Sequence, residues 1–326
     1  MIKYVIKRLL IMIPILLGIC FIVQLLISVT PGDPARIIAG ADREEWEYEQ
    51  IREELGLNDP LLVRFGRFLG GVVQGDLGTS FKTHRSVGAD IKERFPYTLM
   101  IATLSVVLAV AIGIPLGVYA ANHQYSWRDN ATIFLSLICT SMPAFWFALL
   151  LVQYFSVKLG WLPVSGVMQW QGWILPVVSN ALGFAAQVAR QMRSNMLEVI
   201  RQDYIVTARA KGQAEGTVLY RHALKNALIP VIQTVGGMYG MSLGGALIAE
   251  MIFSVPGLGS YTLVGLTNRD YPIIQGSVLF LSAIFCVVIL LIDIIFAFID
   301  PRIRSQYVRK RSRANVKGAL QSAEKV

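Results

Sequence analysis

Long stretches without a charged side chain dominate the chain. A helix that spans a bilayer needs about 20 mostly apolar residues, because about 30 Å of hydrocarbon is crossed at 1.5 Å per residue. Extended slightly at some of their ends, the uncharged stretches predict six transmembrane helices, roughly at 9–30, 97–121, 131–157, 173–192, 228–251 and 277–299. A further uncharged stretch, 251–268, contains Pro256 and two nearby glycines and is interpreted as a loop or a short re-entrant piece.

Composition supports this pattern. Hydrophobic residues make up 54% of the 326 residues and charged residues only 16%, against about 25% in an ordinary soluble domain. Intrinsic disorder is excluded because it needs low hydrophobicity, and a disulfide scaffold is excluded because the chain has only 3 cysteines. We therefore expect an all-α polytopic membrane protein.

The distribution of charge predicts the topology. Lys and Arg clearly outnumber Asp and Glu in the segments on one side of the predicted helices, which are 1–8, 122–130, 193–227 and 300–326. Cytoplasmic loops of membrane proteins carry such an excess of basic residues. Both termini are therefore expected in the cytoplasm, and the net charge of +9 needs no nucleic acid to explain it.

Four regions follow from this topology. Residues 1–32 form an N-terminal tail and the first helix, 33–94 an extracytoplasmic domain, 95–299 a core with helices two to six, and 300–326 a basic, disordered, lipid-facing cytoplasmic tail. The extracytoplasmic domain is either a solvated cap on the helix ends or a docking surface for an external partner.

Sequence motifs for several kinds of catalysis and metal binding are absent. The sequence has no phosphate-binding loop of the G-x-x-x-x-G-K-[ST] type, no H-E-x-x-H and no C-x-x-C. Ser242 lies in a G-x-S-x-G match, but a nucleophile elbow needs a strand, a turn and a nearby histidine, whereas this match falls inside an apolar helix. Glycines four residues apart favour close helix packing instead. The expected packing positions are Gly113, Gly117, Gly236, Gly240 and Gly244.

Polar residues inside the predicted spans are candidates for lining a pathway, and prolines there are candidates for kinks that open a cavity. The candidates are Ser141, Pro143, Asn180, Gln187, Gln233, Tyr239 and Ser242. Two acids, Glu250 and Asp293, fall near predicted helix ends. They are either ion or substrate contacts or, as we prefer, partners in hydrogen bonds between helices or groups at the membrane interface.

The largest internal cytoplasmic segment, 193–227, combines helical spacing of Leu197, Ile200 and Tyr204 with a run of small residues and a glycine. A helix–turn–helix with small residues at its bend suits insertion into a groove on a soluble partner. An ordinary basic loop near lipid headgroups has the same periodicity, so the pattern alone leaves both interpretations open.

The same segment carries a family resemblance. Residues 203–212 followed by 221–230 closely resemble the EAA-type loop of ABC importer permeases, in the peptide/nickel branch of that family. The residues 30–34, 75–78 and 253–259 also resemble that family in order and spacing. The long loop after the first helix is similar to that of the B-type subunit of dipeptide and oligopeptide permeases.

The resemblance implies a type I importer permease in the plasma membrane of a bacterium or archaeon. Its implied partners are a second homologous permease in a heterodimer, two ABC ATPase subunits, an extracytoplasmic solute-binding protein and membrane lipids. ATP and Mg would bind to the ATPases, and this chain would hold no cofactor or metal. The EAA-type loop would lie in a groove of an ATPase through Asp203, Tyr204, Thr207, Ala208, Arg209, Ala210, Lys211, Gly212 and Glu215.

Di- or oligopeptides are the substrates that the resemblance favours, with nickel, a metal chelate or glutathione as alternatives. A stand-alone secondary transporter is a more distant alternative, because it would need paired charges in the membrane and usually internal inverted repeats. A membrane-embedded hydrolase would need a base beside Ser242.

Overall fold

The computed structural model describes residues 2–30, 32–40 and 43–299, and the secondary structure in this part of the chain is helical apart from an isolated bridge between Thr79 and Ser86. The predicted tail, 300–326, lies outside the described residues. In chain order the α-helices are α1 Ile2–Val29, α2 Pro34–Ala39, α3 Glu45–Glu54, α4 Leu61–Val73, α5 Val87–Asn122, α6 Trp127–Ser141, α7 Ala144–Leu151, α8 Ile174–Ile200, α9 Asp203–Ala210, α10 Glu215–Thr217, α11 Leu224–Gly245, α12 Leu247–Ile252, α13 Leu258–Thr267 and α14 Tyr271–Ile299.

Short segments of other helix types adjoin three of these helices. A π-helical segment, Val152–Lys158, continues α7, and a second, Val218–Ala223, leads into α11. A 3-10 turn, Trp170–Trp173, precedes α8. The all-α fold expected from the sequence is therefore confirmed.

Among the described residues, four helices are long and apolar enough to cross a membrane. They are Val5–Val29, Val87–Asn122, Trp170–Ile200 and Tyr271–Ile295. A fifth crossing results if α6 and α7 with its π-helical extension form one broken span, which bends by 98°. The helix expected at 131–157 is thus not continuous. Pro143 explains the break, because a proline disfavours the helical conformation of the residue before it, and Met142 is extended at ψ 127°.

The remaining predicted span, 228–251, corresponds to α11 and α12. Helix α11 contains several glycines and polar side chains and is not among the four spans above, and it ends at Gly245. As in the predicted span, Pro230 lies inside the helix. The count of six spans and the cytoplasmic placement of the termini stay predictions.

Two predicted boundaries also move. Helix α8 continues to Ile200, beyond the expected end at 192, so the spanning helix leads directly into the EAA-type segment. Helix α5 begins at Val87, before the expected end of the extracytoplasmic domain at 94. Ser86 precedes α5 in an extended conformation and ends the hairpin-like turn that contains the bridge to Thr79.

Helices α5 and α8 pack together closely because α5 presents glycines to α8. A Cβ atom on Gly113 would lie 2.7 Å from the carbonyl oxygen of Ala185, and one on Gly117 would lie 2.5 Å from that of Ala189. Backbone atoms cannot rotate away as a side chain can, so both positions require glycine. Ala109, Ala181 and Ala185 extend this close contact as a buried cluster.

The glycines of α11 differ in their surroundings. A Cβ atom on Gly236 would lie 2.5 Å from Ile292, and one on Gly240 would lie 2.9 Å from Phe285, both on α14. At Gly244 no heavy atom lies within 4 Å of the Cβ position, so the structure places no neighbouring helix there.

Glu250 organises the contact between α5, α12 and α13. Its side chain is fully buried. Its Oε1 atom accepts a hydrogen bond of 2.6 Å from the Thr98 hydroxyl, and its Oε2 atom accepts one of 2.7 Å from the Ser260 backbone N–H. A Cβ atom on Gly257 would collide with this carboxylate. Glu250 therefore joins helices internally, as the preferred interpretation of the sequence holds.

Asp293 also has a partner within the chain. Its carboxylate lies 2.9 Å from Nη2 of Arg8, so the salt bridge connects α14 to α1. Polar contacts also hold the small region between α1 and α5, which the sequence predicts to be extracytoplasmic. Asp33 caps α2 and accepts a hydrogen bond of 2.6 Å from Arg52 of α3, and Ser80 donates one of 2.6 Å to Asp270 in the turn before α14.

We expect Gly117→Ala to destabilise the protein, because the new methyl group would press on the Ala189 carbonyl. Overpacking of this kind costs roughly 1–3 kcal/mol. Thermal unfolding of the purified protein in detergent should therefore show a Tm lowered by several degrees. Gly18→Ala is the matched control, since no atom lies within 4 Å of that position and alanine is the better helix former. Equal Tm values for the two variants would contradict the close contact.

Candidate functional site

The EAA-type segment folds as a short helix and a turn attached to α8 and α11. Ile205 and Ala208 of α9 are buried and join a hydrophobic cluster with Met192, Met196 and Val218. This cluster fixes α9 against the ends of both long helices. Ala208, expected to contact an ATPase, instead faces the core of its own chain and is only 8% exposed. Its small side chain serves the attachment of α9.

The opposite face of α9 is open. Val206 is 55% exposed and Tyr204 43% exposed, and Ala210 and Lys211 are exposed as well. Thr207 donates its hydroxyl hydrogen to the Asp203 carbonyl oxygen at 2.9 Å, within the helix. The exposed face thus combines apolar and basic side chains. Such a surface suits contact with a protein partner, which would bury the apolar groups.

The turn after α9 depends on backbone conformation and on one ion pair. Gly212 has φ +77°, a conformation that favours glycine. Arg209 reaches across the turn and donates hydrogen bonds to Glu215, at 3.0 Å from Nε and 2.6 Å from Nη2. The hydrogen bond from Arg209 lowers the pKa of the Glu215 carboxyl. Arg209 and Glu215, both expected to contact an ATPase, therefore form a salt bridge with each other.

A cavity of about 380 Å³, lined by both apolar and polar side chains, lies between α6, α7, α8 and α11. Three of the predicted pathway residues line it, namely Asn180, Gln187 and Ser242. Asn180 donates a hydrogen bond of 2.9 Å from Nδ2 to the Ser242 hydroxyl, which connects α8 to α11 across the cavity. Amide and hydroxyl groups give the cavity both donors and acceptors without a charge.

The other predicted pathway residues lie elsewhere. Ser141 and Pro143 line a separate, mostly apolar depression at the bend between α6 and α7. Gln233 is exposed on α11. The Tyr239 hydroxyl lies 3.0 Å from Thr103 Oγ1 on α5. The structure therefore brings together three of the seven candidates.

The cavity does not have the groups of a hydrolase. Ser242 lies inside α11 and its side chain is buried. None of the described residues that line the cavity is a His, Asp or Glu, so no base faces this hydroxyl there. Across the described residues, no group of three or more His, Cys, Asp or Glu is placed to hold a metal ion.

Sequence reasoning missed Arg190, although this residue falls inside the predicted span 173–192. Because α8 continues to Ile200, Arg190 lies within the helix. Its Nη1 atom donates to Thr140 Oγ1 at 2.9 Å and lies 3.5 Å from the Ser136 carbonyl oxygen. The helical spacing from Asn180 through Gln187 to Arg190 was the signal that could have identified it.

Apolar spans, a cavity with polar groups between them and an exposed helix–turn–helix on a long spanning helix are typical of a multi-pass membrane transport protein. Two family models match the sequence and extend this conclusion. One, described as the binding-protein-dependent transport system inner membrane component, matches residues 113–305, and the corresponding N-terminal model matches residues 1–102. The chain belongs to this family and is the permease subunit of an ABC importer in the inner membrane.

Similar proteins agree with this assignment. The chain is 42% identical over 304 residues to the glutathione transport system permease protein GsiC of Salmonella paratyphi A, covering 93% of this chain and 99% of that protein. It is 41% identical, with the same coverage, to GsiC of Escherichia coli K12. The fold resembles that of the inward-facing MetNI methionine ABC transporter, with a TM-score of 0.54, 18% identity and coverage of 64% of this chain and 96% of that chain. The family resemblance inferred from the sequence is thereby confirmed.

We expect exchange of the charges at Arg209 and Glu215 to separate a structural role from direct recognition by a partner. The single variant Arg209→Glu places two acids across the turn, and exposed pairs of this kind contribute up to about 1 kcal/mol. Its ATP-driven uptake in proteoliposomes should fall several-fold. The double variant Arg209→Glu/Glu215→Arg re-forms the pair and should recover most of the uptake. A double variant no better than the single one would show that a partner reads the individual charges.

Proposed function

We propose that the chain, paired with a second homologous permease, carries short peptides, glutathione among them, into the cell after delivery by an extracytoplasmic solute-binding protein. The observation that carries this proposal is the cavity lined by Asn180, Gln187 and Ser242. Its amide and hydroxyl groups are complementary to the N–H and C=O groups of a peptide. The similarity to proteins named as glutathione permeases supports the same substrate class, since glutathione is a tripeptide.

We further propose that α9 couples this pathway to two ABC ATPase subunits, which would bind ATP and Mg while this chain holds no cofactor. The exposed Val206 and the exposed Tyr220 are apolar contacts available to such a partner. The cluster around Ile205 ties α9 to α8, which also carries Asn180. Movement of α9 on closure of the ATPases would therefore move the cavity wall and shift the population of inward- and outward-open states.

Uptake by the complete complex tests the substrate. The complex with its second permease, ATPases and binding protein is reconstituted in liposomes, and uptake of glutathione, an unmodified dipeptide and nickel is compared with and without ATP. We expect saturable uptake of peptides, and we expect it only when ATP is present on the side of the membrane where the ATPases lie. Uptake of nickel alone would contradict the proposed substrate, and uptake independent of ATP would favour a secondary transporter.

A bulky residue on the open face of α9 tests coupling. Ala210→Trp should prevent binding of the ATPases, because the indole would hold the two surfaces apart, and both copurified ATPase and uptake should fall at least tenfold while membrane insertion is kept. Gly212→Trp is less discriminating, since φ +77° at that position strains any other residue. Asn130→Trp, at an exposed position near the start of α6, is the control. Normal ATPase binding by Ala210→Trp would contradict the docking role.

A further inference from the structure

Charged side chains within the predicted spans are few, and they differ in how they are neutralised. Among the described residues they are Arg190, Glu250 and Asp293. Asp293 forms a salt bridge with Arg8, and Glu250 is enclosed by hydrogen-bond donors from Thr98 and Ser260. Arg190 contacts a hydroxyl and a carbonyl oxygen, and no described carboxylate lies within salt-bridge distance of it.

A cation without a counter-charge inside a membrane costs free energy, so such residues are kept mainly where they perform a function. The guanidinium has five N–H donors. The two contacts of Arg190 both involve Nη1, so Nε and Nη2 have no described acceptor. These two nitrogens form an edge of the guanidinium that matches the two oxygens of a carboxylate.

Arg190 is also next to the cavity. Positions 180, 183, 187 and 190 follow one face of α8 at helical spacing, and the first three line the cavity. Thr140, whose Oγ1 atom accepts the hydrogen bond from Nη1, lines it as well. Arg190 therefore lies one helical turn beyond Gln187, toward the end of α8 that carries α9.

We propose that Arg190 binds the carboxylate of the transported solute at the α9 end of the cavity. Uncharged Asn180, Gln187 and Ser242 would contact the amide groups of the solute, and Arg190 would pair with its free carboxylate. For a short peptide this is the C-terminal carboxylate, and glutathione has two carboxylates that qualify. The inference rests on the proposed peptide substrate. It names Arg190 as the residue that favours peptides with a free carboxylate over amidated peptides.

The test compares a peptide bearing a free C-terminal carboxylate with its amidated form, chosen so that the binding protein takes both in a direct titration. Uptake is measured in proteoliposomes containing the complete complex. We expect Arg190→Gln to lower kcat/KM for the free acid about tenfold, as loss of a charged hydrogen bond predicts, and to change that for the amide less than twofold. Arg190→Lys should recover part of the preference, because it keeps the charge without the planar edge.

Because the same binding protein serves every complex, a change in the ratio of acid to amide uptake reports the permease. Lys158→Gln removes a basic residue away from the cavity, at the end of the π-helical segment, and should leave the ratio unchanged. An equal loss of uptake for both peptides in Arg190→Gln, relieved by changing the anionic lipid content, would identify a headgroup contact and overturn the inference. An unchanged ratio would overturn it also, whereas absence of peptide uptake by the wild-type complex would refute the proposed substrate itself.

Discussion

The close contact between α5 and α8 is the constraint on which the rest of the arrangement depends. Gly113 and Gly117 let α5 approach the α8 backbone at Ala185 and Ala189, where any side chain would collide with carbonyl oxygens. This backbone contact fixes the position of α8 along its axis and its rotation about that axis, because the two glycines form a recess at one place along α5 only. The opposite face of α8 is then directed at α6 and α11, where Asn180 reaches Ser242.

Fixing α8 also fixes what is attached to its far end. Arg193 forms a salt bridge with the buried Asp129, at 2.7 Å from Nη2 to Oδ2, and so joins α8 to the start of α6. Met196 and Ile205 are fully buried in the cluster that holds α9. One continuous helix therefore carries the cavity wall, Arg190 and the attachment of α9. Helix α8 has no break between the cavity and α9, as the proposed coupling of the two requires.

The sequence predicted those features that depend on one residue type at a regular spacing. Apolar length located the spans, and glycines four apart located the recess on α5. Other features depend on contacts between distant segments. Nothing in the local pattern shows that Ala208 faces inward while Ala210 faces outward, since both are small residues in one helix. Likewise, Gly257 is required because it meets the carboxylate of Glu250, and only the packing of α12 against α13 reveals this requirement.

The predicted pathway residues do not all line the cavity, because their polar groups are satisfied in different ways. Hydropathy treats any polar residue in a span as unusual, but a polar group in a membrane protein can be satisfied in three ways. Tyr239 meets Thr103 on the neighbouring α5, Glu250 is enclosed by donors from its own chain, and Asn180, besides its hydrogen bond to Ser242, faces a cavity. A group enclosed by its own chain contributes to helix association and has little left to offer a ligand, whereas a group at a cavity can still contact one. Arg190 is the reverse case, because its charge has no described counterpart and its remaining donors are unused, so its location next to the cavity carries more functional weight than its polarity alone.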